Sequence, residues 1–304
     1  MFFGAAAFII AKFAMDATDG IVFSFIVSGF AAVFCGIWAA AGGDIRPPKS
    51  EGRARWIFAG HLISSVVGAG SLWSAIETLD PAVVSIVSRV EIVISLMLAG
   101  LFLRERFRPI EWLGAIVVIA GVVFMKVAST GSLLVFLDSA NGKGFLFSLT
   151  AAAGYATSEV FAKAGTHSAS PPAFAFYRNL GMTIIFGVLI LLLGRDSLPE
   201  PRVWLIAAGA ALGGPVIARV LWFEALRLMP LSKAVLLAQC HPLWTALLAW
   251  AVLGSVLSAQ EWGGAAVILS GCAIVTMGGA VSRRAPALVP PIPSGPEESL
   301  PKSS

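Results

Sequence analysis

Arg89 and Glu91 stand in the middle of an apolar run, and 150 positions later Gln239 and His241 stand in the middle of another. A charged group in hydrocarbon costs roughly 3 kcal/mol on insertion scales and more in simulations, so each needs a partner, a cavity or a short reach to the surface. A guanidinium in such a place attracts an anionic or zwitterionic group, while a carboxylate or imidazole binds an amine or titrates. Ser85, Ser88, Glu91 and Ser95 share an arc of about 120° on an ideal helix, which makes a polar stripe able to line a cavity. Arg89 and Glu91 are about 200° apart on the same helix and form no simple intrahelical pair. The competing reading of all these residues is an interhelical hydrogen-bond network that only packs a helical bundle.

Further candidates lie later in the chain. Arg178-Asn179 falls inside one apolar run, and Arg219 falls inside the next, five residues after Gly213-Gly214-Pro215. A helix broken there exposes backbone groups that hold a polar ligand; the alternative is a proline kink with the arginine satisfied by nearby carbonyls. Trp222, one turn from Arg219, and Trp73 and Trp244 read either as cavity aromatics or as core packing. Glu159 and Lys163 are four apart in the favourable order and read as a structural pair along one helix face, as do Glu224 and Arg227. His61 either titrates or is held by a hydrogen bond.

Enzyme chemistry finds no constellation. His167 sits in a Ser/Ala/Pro loop, and the glycine-rich stretches precede neither a Walker lysine nor a dinucleotide pattern. No CxxC or histidine cluster argues for a metal, and Cys35, Cys240 and Cys272 lie within apolar runs as small packing residues. No cofactor is expected.

The elements that carry these residues follow from composition. The 304 residues are 58% hydrophobic and 12% charged, with mean hydropathy +0.87, so too little polar surface exists to cover one soluble core. Several apolar runs approach the ~20 residues that span hydrocarbon as a helix, and none alternates as a porin strand would. We read an all-α integral membrane protein with ten transmembrane helices, near 1–15, 20–42, 55–77, 82–103, 110–128, 144–165, 172–194, 202–228, 231–253 and 261–281. The first span is short, as though the chain began part-way into that helix. No basic leader with a cleavage site precedes it, so it is expected to stay. The net charge of +4 reflects short basic loops beside spans and does not point to nucleic acid.

Glu111-Trp112 recurs as Glu261-Trp262, and from 98 to 121 the same 150-residue shift gives nine identities in 24 positions. Roughly two or three are expected by chance in so apolar a composition. The chain is therefore a duplication: 1–128 a first five-helix repeat, 129–143 a connecting loop, 144–281 a second repeat and 282–304 a disordered proline-rich tail. Five spans per copy is odd, so the second copy enters from the opposite side. Charge agrees: the 104–108 loop holds three arginines and its partner at 254–258 none. Loop 44–55 holds Arg46, Lys49, Arg53 and Arg55, whereas Arg195 and Arg202 in its counterpart are balanced by Asp196 and Glu200. In the other direction 77–81 lacks a cation, while the matching turn carries Arg227 and Lys233. Positive-inside selection acting on inverted copies gives this bias and puts both termini in the cytoplasm. Trp56, Trp112, Trp204 and Trp262 open spans as interfacial anchors, and Gly114/Gly121 and Gly264/Gly271 form faces for close helix packing.

The stretch 80–124, with its polar mid-span, Leu103-Arg104-Glu105, Glu111-Trp112-Leu113-Gly114 and Gly121, resembles the C-terminal part of an EamA repeat. His241-Pro242, followed by Glu261-Trp262-Gly263-Gly264 and Gly271, resembles it again. Residues 1–281 thus resemble the ten-helix drug/metabolite transporter superfamily. The resemblance implies inverted five-helix units, with the third, fourth, eighth and ninth helices around a substrate cavity and the fifth and tenth outside. Three departures stand out: Ile92 replaces the proline usual in the fourth helix and is expected to stiffen it, Ser255 replaces a glutamate, and the first helix is short.

The function expected is secondary transport of a small polar or amphipathic metabolite, amino-acid-like or organic-anion-like, outward across the cytoplasmic (inner) membrane by alternating access. A channel-like facilitator and a non-transporting scaffold are the alternatives. The site is expected at Arg89, Glu91, Gln239, His241, Arg178 and Arg219, with Ser88, Ser95 and Trp222. The expected partners are a small-molecule substrate, the lipid bilayer and a second copy in a homodimer, with no nucleic acid.

Overall fold

The computed structural model describes residues 1–48, 52–103, 109–130, 140–194, 199–228, 241–255 and 257–280, and every regular element among them is a helix. The arginine loop 104–108, residues 131–139, Lys49, Arg195, Asp196, Lys233, Gln239, Cys240 and 281–304 lie outside the described residues, as do the side chains of Glu111 and Glu261.

The first helices are α1 (Phe2–Lys12), α2 (Gly20–Ala41) and α3 (Arg53–Thr78). Asp19 starts α2 by accepting from the Ile21 and Val22 amides at 2.9 and 3.0 Å, which satisfies two donors that the first turn leaves open. Asp80 does the same for α4 (Pro81–Val87), with Pro81 in the first helical position, where no donor is lost. Then come α5 (Val90–Leu103), α6 (Pro109–Thr130), α7 (Ala140–Gly165), α8 (Pro171–Leu192) and α9 (Pro201–Ala211). A π-helical segment, Leu212–Ala218, leads into α10 (Arg219–Leu228). The described chain ends with α11 (His241–Leu248), a second π-helical segment (Ala249–Leu253) and α12 (Ala259–Ala280).

Two expectations about helix breaks are corrected. Gly213-Gly214-Pro215 does not break its helix. The backbone widens into π turns, the Arg219 amide reaches back to the Gly214 carbonyl, and the apolar helix runs on from Pro201 to Leu228. Ile92 does not keep the fourth segment straight either. The Arg89, Glu91 and Ile92 amides bond three residues back, to Ile86, Ser88 and Arg89, so the helix tightens and turns between α4 and α5 without any proline.

Each helix buries one side on specific partners: α3 on α7, α6 on α12, α2 on α8, and α1 on the Leu212–Ala218 segment and α11. Among the described residues four helices are long and apolar enough to cross a bilayer: α2, α3, α8 and the continuous Pro201–Leu228 helix. Outward faces carry aliphatic side chains such as Leu192 and Leu205, each 77% exposed, while His61 and Arg178 are 0% and 2% exposed inside. Apolar outside and polar inside is the arrangement expected where lipid is the solvent.

Candidate functional site

A cavity of about 320 Å³ opens between α1, α2, α3, the α4–α5 turn, α7, α8, the Leu212–Ala218 segment, α10 and α11. Among the described residues its lining includes the side chains of Arg89, Glu91, Glu159, Arg178, Arg219, His241 and Tyr155. Ser88, Ser95, Asn179 and Trp222 add polar atoms, and Phe8, Ala69, Leu72 and Trp73 an apolar wall.

The α4–α5 turn places the first two ionic groups. Ser88 Oγ donates to the Val84 carbonyl at 2.7 Å and Ser85 Oγ to Ala82 at 2.9 Å; such back-bonding competes with the helix ladder and bends it. Arg89 Nε donates to the Ser85 carbonyl at 3.2 Å. The tightened turn brings both Arg89 and Glu91 to the cavity, although a straight helix would send them to different sides. Of the serine stripe, Ser88 and Ser95 face the cavity, while Ser85 is fully buried with its hydroxyl bonded to its own helix.

Arg178 on α8 is held firmly. Its Nε donates to Ser65 Oγ at 3.0 Å and its Nη1 to Asn179 Oδ1 at 3.1 Å. Ser65 Oγ lies 2.8 Å from Ser158 Oγ, which lies 2.9 Å from His61 Nδ1. His61 is thus a hydrogen-bonded interior histidine, packed among Phe58, Phe174 and Phe223, and its buried Nε2 has no hydrogen-bond partner among the described residues. The chain of polar groups on α3 and α7 fixes the guanidinium in place.

Arg219 opens α10 directly after the π turns. Its Nη1 lies 2.5 Å from Glu159 Oε1, and Trp222 Nε1 donates to Glu159 Oε2 at 2.5 Å. The Arg219 guanidinium also lies over the Tyr155 ring, 5.4 Å from its centroid. This corrects the expected Glu159–Lys163 pair: Glu159 turns inward to Arg219 and Trp222, and Lys163 Nζ donates to the Leu226 carbonyl. Glu159 is the lining carboxylate that sequence reasoning gave to a structural pair instead of the site. Its i,i+4 lysine explained it away, whereas Tyr155 one turn before it marked the same face as polar.

His241, at the start of α11, faces the cavity with its ring edge-on to Phe8 at 5.0 Å. Thr245 Oγ1 lies 3.3 Å from its Nδ1. The short α1 passes so close that a Cβ on Gly4 would sit 3.2 Å from His241 Nε2. Trp222 belongs to the cavity through its indole N–H, and Trp73 both lines it and packs on Phe8 and Phe23. Trp244 is a surface aromatic, 40% exposed and edge-on to Phe2, so its reading as a cavity aromatic is withdrawn. Eight of the nine expected site residues therefore meet at one cavity, and the ninth, Gln239, lies outside the described residues. Mixed guanidinium and carboxylate groups beside an aromatic and aliphatic wall suit a small solute with a charged end and an apolar end.

A family model described as "EamA-like transporter family" matches residues 1–127 and 142–277. Uncharacterized transporter sll1164 of Synechocystis sp. is 24% identical over 218 residues, which are 68% of this chain and 61% of that relative's length. A solved structure titled "Crystal structure of protein" has a TM-score of 0.63 at 19% identity, over 90% of this chain and 95% of its own, a likeness of fold alone.

Proposed function

The chain belongs to the EamA-like transporter family, and from that membership we propose that it is a secondary transporter of a small amphipathic metabolite. It moves this solute outward across the cytoplasmic membrane by alternating access, with two inverted five-helix units of ten spans in all rocking about the cavity. Both termini are cytoplasmic. The observation that carries the reading is the cavity itself, where buried ionic groups from both sequence-related halves converge at depth beside an apolar wall.

Helix pairing supports the inverted arrangement. α3 of the first half packs on α7, the first helix of the second; reciprocally α1, the first helix of the first half, packs on the third-position helix of the second. The α2–α8 and α6–α12 pairs map onto themselves when the halves are exchanged. A two-fold relation between the halves requires this pattern.

Untargeted metabolite profiling of cells and medium, with and without the gene, is the test. A small set of amphipathic metabolites is expected to accumulate inside and fall several-fold outside on deletion. Unchanged fluxes together with a stably co-purifying protein would overturn transport in favour of a scaffold. In proteoliposomes, uptake of the identified metabolite driven by a pH gradient and lost in Glu91→Gln separates a coupled carrier from a channel-like facilitator.

A further inference from the structure

Within this cavity one carboxylate-binding geometry is already displayed. The two oxygens of Glu159 are each taken by a separate N–H donor, Arg219 Nη1 and Trp222 Nε1, both at 2.5 Å and both on α10. One donor per oxygen is the recognition pattern of a carboxylate, and the guanidinium is backed by the Tyr155 and Phe223 rings at 5.4 and 5.9 Å, which hold its plane in place. Glu159 arrives from a different helix, α7, so the cradle and its occupant belong to separate elements. Among the described lining residues three guanidiniums, Arg89, Arg178 and Arg219, face two carboxylates, Glu91 and Glu159.

We propose that Arg219 and Trp222 form the binding cradle for a substrate carboxylate, and that Glu159 occupies it as a tethered stand-in until a monoanionic, apolar-tailed substrate displaces it. This rests on the transport reading of the same site and names its substrate class. The incoming carboxylate accepts from the Arg219 and Trp222 N–H groups, and Glu159 swings away from them. The tail lies against Phe8, Ala69, Leu72 and Trp73 across the cavity. An internal competitor weakens the resting affinity by the fraction of time the cradle is vacant, and it speeds release by retaking the donors. A purely structural ion pair would do neither.

The test uses the full chain purified in detergent, with 3-phenylpropionate and 3-phenylpropionamide as probes of equal shape and different charge, followed by tryptophan fluorescence and thermal shift. The carboxylate is expected to bind and the amide not. Glu159→Gln keeps the side-chain volume and an oxygen for Trp222 but removes the competing charge. If Glu159 holds the cradle about nine-tenths of the time, this variant binds the carboxylate about tenfold more tightly. Arg219→Gln is expected to abolish binding. Trp222→Phe, which retains the aromatic bulk, is expected to erode the preference for carboxylate over amide, and it supplies the answer if Glu159→Gln fails to fold. Equal binding of the amide, no binding of either probe, or weaker carboxylate binding by Glu159→Gln overturns the cradle. The transport reading stands or falls separately on metabolite flux.

Discussion

Across the α6–α12 contact, a Cβ on Gly121 would meet the Ile268 amide at 2.9 Å and one on Gly271 would meet the Val118 amide at 2.7 Å, two contacts that exchange under the 150-residue shift. Across the cavity the corresponding operation carries Phe8 to Glu159, Val27 to Arg178, Ala69 to Arg219 and Leu72 to Trp222. The shift is 151 residues in the first two helices of each half and 150 from the third onward. Packing positions repeat because any side chain there would drive two backbones apart. Gly36 against Phe176 and Gly187 against Phe25 obey the same rule. Many cavity positions are not held by such contacts, and the halves have diverged at several of them. α1, α2 and α3 contribute mainly apolar surface, and α7, α8 and α10 contribute the ion pair and the fixed arginine. The α4–α5 turn and α11 keep polar groups in both copies, Arg89 and Glu91 in one and His241 in the other, as do α2 and α8 with Ser28 and Asn179. A cavity polar on one side and apolar on the other follows from a duplication whose scaffold was held and whose lining was not.

The contrast can be broken most forcefully at the scaffold. A Cβ on Gly154 of α7 would lie 2.5 Å from the Gly68 amide nitrogen of α3, backbone against backbone, so nothing can give without separating the helices. Gly154→Leu is expected to destabilise by more than about 3 kcal/mol and to leave little monodisperse protein in detergent. Gly29→Ala, whose new methyl would meet only Thr183 Cγ2 at 3.8 Å, is expected to stay within about 0.5 kcal/mol of the parent. Similar melting of the two variants would mean that close approach is not what the glycines secure.

The diverged lining offers the next effect. Arg219→Gln leaves the buried Glu159 carboxylate with Trp222 alone and is expected to cost about 1.5 kcal/mol in thermal unfolding, whereas Arg219→Gln with Glu159→Gln recovers most of that loss. Additive losses in the double variant would show that the two groups are not energetically coupled despite their contact. Leu72 and Ala69, the counterparts of Trp222 and Arg219, have no such partner to strand, so Leu72→Met is expected to cost less than about 1.5 kcal/mol.

How far these features are visible in the sequence depends on whether they are local. Span positions follow from apolar runs, and the repeat from the Glu111-Trp112 and Glu261-Trp262 ruler, so α2, α3, α8 and the Pro201–Leu228 helix fall within a few residues of expectation. Buried ionic groups are costly anywhere in a span, which is why Arg89, Glu91, Arg178, Arg219 and His241 could be picked out before their neighbours were known. Glu159 could not, because its true partner lies 60 positions away and a nearer lysine offered a cheaper explanation. The bend at Ser88-Arg89 escaped because serine back-bonding, and not proline, produces it. Gly213-Gly214-Pro215 leaves a break and a kink both open in the sequence, and a π turn absorbs the missing amide without ending the helix.

The smallest expected effect tests whether the repeat is mechanical as well as sequential. Lys12, the last residue of α1, places Nζ 2.8 Å from the Ile76 carbonyl and 3.4 Å from those of Glu77 and Leu79, at the C-terminus of α3. Lys163, near the end of α7, places Nζ 2.5 Å from the Leu226 carbonyl in the last turn of α10. Ile76 and Leu226 are 150 positions apart, so each half uses a lysine from its first helix to neutralise the negative end of its third. Methionine keeps the apolar stem and removes the charge. Lys12→Met and Lys163→Met are each expected to lower stability by about 1 kcal/mol, with the double variant additive to within about 0.5 kcal/mol because the caps share no partner. A neutral Lys163→Met beside a costly Lys12→Met would mean that the second half has let this cap diverge as its cavity lining did, and that the boundary between retained scaffold and altered site runs through the helix ends.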